Sequence, residues 1–254
     1  MSEIKIIYED ENIVVIDKPA GITVNNSDTT KKEQTVQDWV LNKFPTFYSQ
    51  SLVNKNQDFY NRSGIVHRID KETSGILLIA KNQESFENLQ LQFKERKVKK
   101  TYLALVHGKV DSEEGEIVVP VGRLPWNRKR FGVLAGGKEA ATVYRVISHV
   151  KFNITNKKTD ELTLLELEPK TGRTHQIRVH LKYFNHPIFA DYLYAGRKVS
   201  REDRKILNRV FLHAHKISFS DPKNNKILNF KSDLPYELEQ TLKRLDGVDF
   251  EAKI

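Results

Sequence analysis

The 254-residue chain has no cysteine, which excludes disulfides, thiolate-bound zinc, iron–sulfur clusters and thiol nucleophiles. It also lacks any window approaching 18 uninterrupted apolar residues, the length that marks a membrane-spanning helix. The start, Met1-Ser2-Glu3-Ile4-Lys5, is mixed and polar, without the basic-then-apolar order of an export signal. We therefore expect a soluble cytoplasmic protein with no membrane association. Acidic residues are in deficit: 33 Asp plus Glu stand against 42 Lys plus Arg, a formal charge of +9. That balance favours a polyanionic partner, nucleic acid first, over an acidic small molecule. No Gly/Ser linker, composition break or repeat divides the chain, so residues 1–254 are expected to form one domain.

Local patterns give most of the elements. Short β-type runs at 4–8 and 13–16, separated by Glu9-Asp10-Glu11-Asn12 and closed by Pro19-Ala20-Gly21, predict an opening hairpin. The polar stretch 42–61 reads as a surface insertion over a binding site. Ile76-Leu77-Leu78-Ile79-Ala80 has the unbroken apolar character of a strand buried on both faces. Asn82 is placed to cap a following helix carrying Phe86, Leu89 and Phe93. Further strands are predicted at 101–106, 116–121, 141–147, 162–167 and 211–219. Thr174 is placed to cap a helix with Ile177, His180, Leu181 and Phe184 on its apolar face and with Arg178 and Lys182 on another side. A last helix starts at Ser232-Asp233 with Pro235 and carries Leu238, Leu242 and Leu245. Strands outnumber helices without strict alternation, which predicts an α+β fold around a large mixed sheet.

Several motifs are weighed against plainer explanations. Gly132 to Lys138 has the spacing of a phosphate-cradling loop, yet Glu139 stands where a hydroxyl should hold magnesium, and Ala141–Val146 continues as strand, so a hairpin is expected. His67-Arg68-Ile69-Asp70 lacks the companion motifs of a kinase catalytic loop. His213 and His215, with no acid nearby, read as core or RNA-facing histidines, not metal ligands. Arg173 follows the Gly172 turn at a helix start, where backbone N–H groups attract anions. Asp70, a lone carboxylate between Arg68 and Lys71 just before Thr73-Ser74-Gly75, is an odd choice for a solvated loop, though such residues more often cap turns.

Four ordered blocks carry a resemblance: Gly64-Ile65-Val66-His67-Arg68-Ile69-Asp70-Lys71-Glu72-Thr73-Ser74-Gly75 with Ala80-Lys81, Lys100-Thr101-Tyr102-Leu103-Ala104-Leu105-Val106-His107-Gly108, Gly172 to His180, and Leu212-His213-Ala214. Together they resemble the RluA-type RNA pseudouridine synthases over nearly the whole chain. The resemblance implies an α+β pseudouridine synthase fold with a mostly antiparallel sheet and a central catalytic cleft. It implies that Asp70 is the catalytic carboxylate, that Tyr102 contacts the target uracil and that Arg178 pairs with Asp70. A guanidinium favours the charged form of a neighbouring carboxylate, the form able to act as nucleophile or base. His67, Arg68, Thr73, Arg173, His175 and Leu212 are the expected RNA-binding residues.

The implied reaction turns uridine in structured RNA, ribosomal in preference to transfer RNA, into pseudouridine with no cofactor and no metal. The target base leaves its stack to react, at a cost of a few kcal/mol. A monomer without a protein partner is expected. Three departures from the family pattern stand out: Ile69 in place of Leu, an opening strand at Ile4 with no small RNA-binding domain before it, and the insertion at 42–61. Two rivals are kept, a noncatalytic RNA-binding protein of the same fold and a metal-dependent nuclease or phosphotransferase using Asp70 with His67.

Overall fold

Asp10 opens the fold by closing its first turn: the carboxylate Oδ1 accepts the Asn12 and Ile13 N–H groups at 2.7 and 2.8 Å. That turn joins β1 (Lys5–Glu9) to β2 (Ile13–Lys18), the expected hairpin. A computed structural model describes residues 3–27, 33–45, 58–127, 130–155 and 158–246. They fall into two units, Met1–Lys99 with Lys216–Ser232 and Lys100–His215 with Asp233–Ile254.

In the first unit β2 pairs antiparallel with β3 (Ser74–Ala80), from Ile13 opposite Ala80 to Lys18 opposite Gly75. Every β3 residue is buried, as its apolar run predicts. Helix α3 (Gln83–Lys94) starts where expected, with Asn82 Oδ1 accepting the Ser85 N–H at 2.9 Å. Its Gln92 amide exchanges two hydrogen bonds with the Ser220 backbone, at the end of β10 (Leu212–Ser220), whose outer half pairs with β11 (Ile227–Lys231). Helix α1 (Val36–Lys43) is absent from the sequence reading, although Thr35 and Asp38 form a reciprocal capping box. Residues 46–57 of the expected insertion lie outside the described residues. Its end, α2 (Asp58–Asn61), is exposed at Asp58 and Asn61 and anchored by Phe59, which is buried and meets Phe86 edge-on at 5.6 Å.

The second unit is built on β4 (Lys99–His107), β9 (Lys158–Pro169), β8 (Ala141–Thr155) and β5 (Glu114–Val118), hydrogen-bonded in that order and all antiparallel. The strand expected over 116–121 divides, because Pro120 has no N–H for a ladder. β5 ends at Val118, and β6 (Val121–Arg123) starts a separate ribbon with β7 (Phe131–Val133). Helix α4 (Gln176–Tyr183) lays Ile177 and Leu181 into a core with Leu105, Leu165, Leu167 and Phe189. Helix α5 (Arg197–Asp203) follows, and α6 (Tyr236–Asp246) adds Leu238, Leu242 and Leu245 to the same core, as its spacing predicts. The fold is α+β. Among the described residues, no helix is long and apolar enough to cross a membrane.

Candidate active site

Asp70 sits half-buried on the loop that leads into β3, and backbone bonds help to fix that loop. The Thr73 N–H donates to the Asp70 carbonyl at 3.1 Å. The Lys71 carbonyl accepts the Gly21 N–H at 2.8 Å and the Lys18 ammonium at 3.3 Å. Lys18 is fully buried, and Nζ also donates to the Pro19 and Ile22 carbonyls at 2.8 and 2.9 Å. Burying an ammonium demands such acceptors, so the end of β2 and the Asp70 loop are pegged through one cation. Gly21, at φ +90, allows the turn that brings its amide into place.

The loop's other expected RNA ligands differ in placement. Arg68 is exposed, whereas Thr73 is 1% exposed. His67 is half-buried; its Nε2 accepts the Leu78 N–H at 3.0 Å and its ring stacks on Phe93 at 4.8 Å. The imidazole therefore carries a backbone hydrogen bond of β3.

Arg178, on α4, is 5% exposed and held by Asp191, itself fully buried. Nε and Nη2 donate in a fork to Asp191 Oδ2 and Oδ1 at 2.7 and 2.8 Å. Asp191 Oδ1 also accepts the Leu193 and Tyr194 N–H groups, and the guanidinium lies 5.0 Å over the Tyr194 ring. A cation buried this deeply requires a buried anion, and Asp191 supplies it. Sequence spacing gave no sign of this partner, because Asp191 lies on the irregular stretch after α4. Arg178, expected on a different side of α4 from Ile177, His180, Leu181 and Phe184, is buried by this network, while Lys182 is exposed.

The start of α4 differs from the predicted cap. Its N-cap is His175, in the left-handed region at φ 56, and not Thr174, which sits within the preceding turn. The side chain of Gln176 does the satisfying: Oε1 accepts the Thr171 hydroxyl at 2.6 Å and the Arg173 N–H at 3.0 Å. The Arg173 amide expected to attract an anion is therefore already occupied. Arg173 itself is half-exposed and donates from Nε to the Glu139 carbonyl at 3.0 Å. His175 is also half-exposed, with Nδ1 2.9 Å from the Tyr194 hydroxyl.

Tyr102 lies on β4 opposite Leu167, partly buried against the core that contains Leu212 and Ile177. Leu212, 4% exposed, is part of that core. Lys100 is two residues before Tyr102, on the same side of the strand, and burial lowers its ammonium pKa to about 8. The phosphate-loop spacing at Gly132–Lys138 belongs to the β6–β7 ribbon: a Cβ on Gly137 would meet the Val121 carbonyl carbon at 2.8 Å, so close backbone approach explains that glycine. His213 and His215 are both fully buried in β10, with ring centroids 6.1 Å apart.

Residues 12–183 match one family, RNA pseudouridylate synthase. The chain belongs to it, within the RluA-type branch. An uncharacterized RNA pseudouridine synthase of Aquifex aeolicus (strain VF5) is 38% identical over 245 residues, covering 91% of this chain and 70% of that protein. The ribosomal large subunit pseudouridine synthase D of Borreliella burgdorferi is 39% identical over 234 residues, 91% of this chain and 65% of its own. Human RNA Pseudouridylate Synthase Domain Containing 1 superposes with a TM-score of 0.70 at 25% identity, over 96% of this chain and 87% of that one. This chain spans about two-thirds of the length of the two bacterial relatives.

Proposed function

We propose that this protein isomerises uridines in structured RNA to pseudouridine, ribosomal in preference to transfer RNA, with the Asp70 carboxylate as its chemical group and no cofactor. The observation that carries the reading is that Asp70, Tyr102 and Arg178 all fall inside the stretch that matches the family, each on a locally fixed support. The large-subunit names of several relatives support ribosomal RNA. In the reaction the bond from ribose C1′ to uracil N1 breaks, the base turns, and a bond from C1′ to uracil C5 forms while the C5 proton is lost and N1 gains one. Nothing else enters or leaves, so one carboxylate with positioning is sufficient.

Asp70 acts at the ribose, Tyr102 stacks on the extruded uracil, and Arg178 pairs with Asp70. Arg68, Arg173 and His175 contact the RNA. His67, which is half-buried, and Thr73 and Leu212, both buried, complete the RNA-binding set. The two units work as one catalytic domain, in a cytoplasmic monomer.

Asp70→Asn is the direct test. It is expected to lower pseudouridine formation by at least roughly 10²–10⁴-fold while RNA binding persists. Activity that survives EDTA is expected of this mechanism and not of a metal-dependent nuclease. Mapping pseudouridines across total cellular RNA with and without the protein identifies the target, and new sites confined to transfer RNA would overturn the ribosomal preference.

A further inference from the structure

The β6–β7 ribbon presents Trp126 at its tip, 76% exposed. The turn that carries it is closed by its own backbone: Leu124 N–H to the Arg130 carbonyl at 3.0 Å, Asn127 N–H to Leu124 at 3.2 Å, and Arg130 N–H to Asn127 at 2.9 Å. Below the tip, Arg123 and Phe131 are cross-strand partners, and the guanidinium lies 4.9 Å over the ring. The segment 121–134 holds four cations, Arg123, Arg128, Lys129 and Arg130, and no acid. A single exposed tryptophan is unremarkable in itself, but one in a cation-rich, acid-free segment that also carries an arginine-capped aromatic has the composition of a single-stranded nucleic acid contact.

The base of the ribbon is tied to the Arg178 network. The Phe131 N–H donates to the Tyr194 hydroxyl at 3.1 Å, and that hydroxyl lies 2.9 Å from His175 Nδ1. Phe131 meets His175 edge-on at 5.6 Å, and Arg178 lies over Tyr194. Val121, Val179 and Tyr194 pack with Phe131 and Val133 in a small core of their own. One connected set of side chains therefore runs from the ribbon to the helix that carries Arg178.

We propose that the β6–β7 ribbon is an RNA arm that holds unpaired nucleotides flanking the target uridine, with Trp126 stacked on a base and Arg123 and Arg130 on phosphates. This rests on the pseudouridine synthase reading and adds to it a specific surface. A nucleic acid is favoured over a peptide by the cation-rich, acid-free sequence of 121–134 and by the connection to Arg178. Stacking on an indole tolerates any base, so the arm adds affinity and orientation but little sequence choice.

The chain has two tryptophans, so Trp39→Phe leaves Trp126 as the sole indole reporter. In that variant a short oligouridylate is expected to quench the fluorescence, whereas an abasic ribose-phosphate strand of equal length and charge leaves it unchanged. Trp126→Ala is expected to weaken oligouridylate binding by roughly fivefold to a hundredfold, and Trp126→Phe to retain most of it. On an RNA substrate, Trp126→Ala raises KM more than it lowers kcat. Arg123→Ala reduces the slope of log affinity against log salt by about 0.7, one single-strand phosphate contact. Unquenched fluorescence with unaltered binding and KM in Trp126→Ala would overturn the arm alone. Full turnover in Asp70→Asn would overturn the synthase reading beneath it.

Discussion

The two units hold their opposite charges by different kinds of bond. Around Asp70 the supports include many backbone groups: a Thr73 amide, a Gly21 amide and three carbonyls gathered by the buried Lys18 ammonium. Around Arg178 the supports are side chains: the Asp191 carboxylate in a two-bond fork, and the Tyr194 ring. A backbone-held loop keeps its shape through many bonds of modest individual worth. A buried ion pair concentrates its dependence in few groups, since removing a fully buried carboxylate takes two charge-assisted hydrogen bonds from a cation that is itself desolvated. The first unit should therefore degrade gradually under mutation, and the second abruptly.

Asp191→Ala is expected to produce the largest loss, about 3–5 kcal/mol of unfolding free energy in urea titration. Lys18→Met removes a buried donor from three carbonyls but leaves the Gly21 amide in place, and is expected to cost about 1–3 kcal/mol. If Lys18→Met proves costlier than Asp191→Ala, the contrast between the units is reversed. Lys100 sharpens the picture through pH. Burial lowers its pKa from 10.5 to about 8, so between those values the unfolded chain binds a proton that the folded one has released. Stability contributed by this group therefore rises with pH from about 8 to 10.5, and Lys100→Met should flatten that rise in melts across the window. The smallest effect is expected at Asn82→Ala, about 1 kcal/mol, the worth of a single helix cap in the first unit.

The same contrast explains what the sequence revealed. Local signals were legible: the Asp10 turn, the Asn82 cap, the unbroken run of β3 and the 3.6-residue pattern of Leu238, Leu242 and Leu245 all rest on neighbours in the chain. So was the family, because its motifs surround Asp70, Tyr102 and Arg178. What stayed hidden depends on distant side chains. Asp191 carries no periodic mark, and the αL conformation of His175 with Gln176 satisfying the turn displaced the expected Thr174 cap. Lys18 left one faint signal, a lysine ending a strand that begins with four apolar residues. The Thr35–Asp38 capping box was readable in principle, but the helix it starts has little apolar periodicity to draw attention to it.

Paired assays on Asp70→Asn reach the core of the account most directly: one counts pseudouridine formed in isolated large-subunit RNA, the other measures affinity for that RNA. The account expects product to fall to background while affinity stays near that of the parent protein. Product formed by the variant at the parent's rate would contradict it.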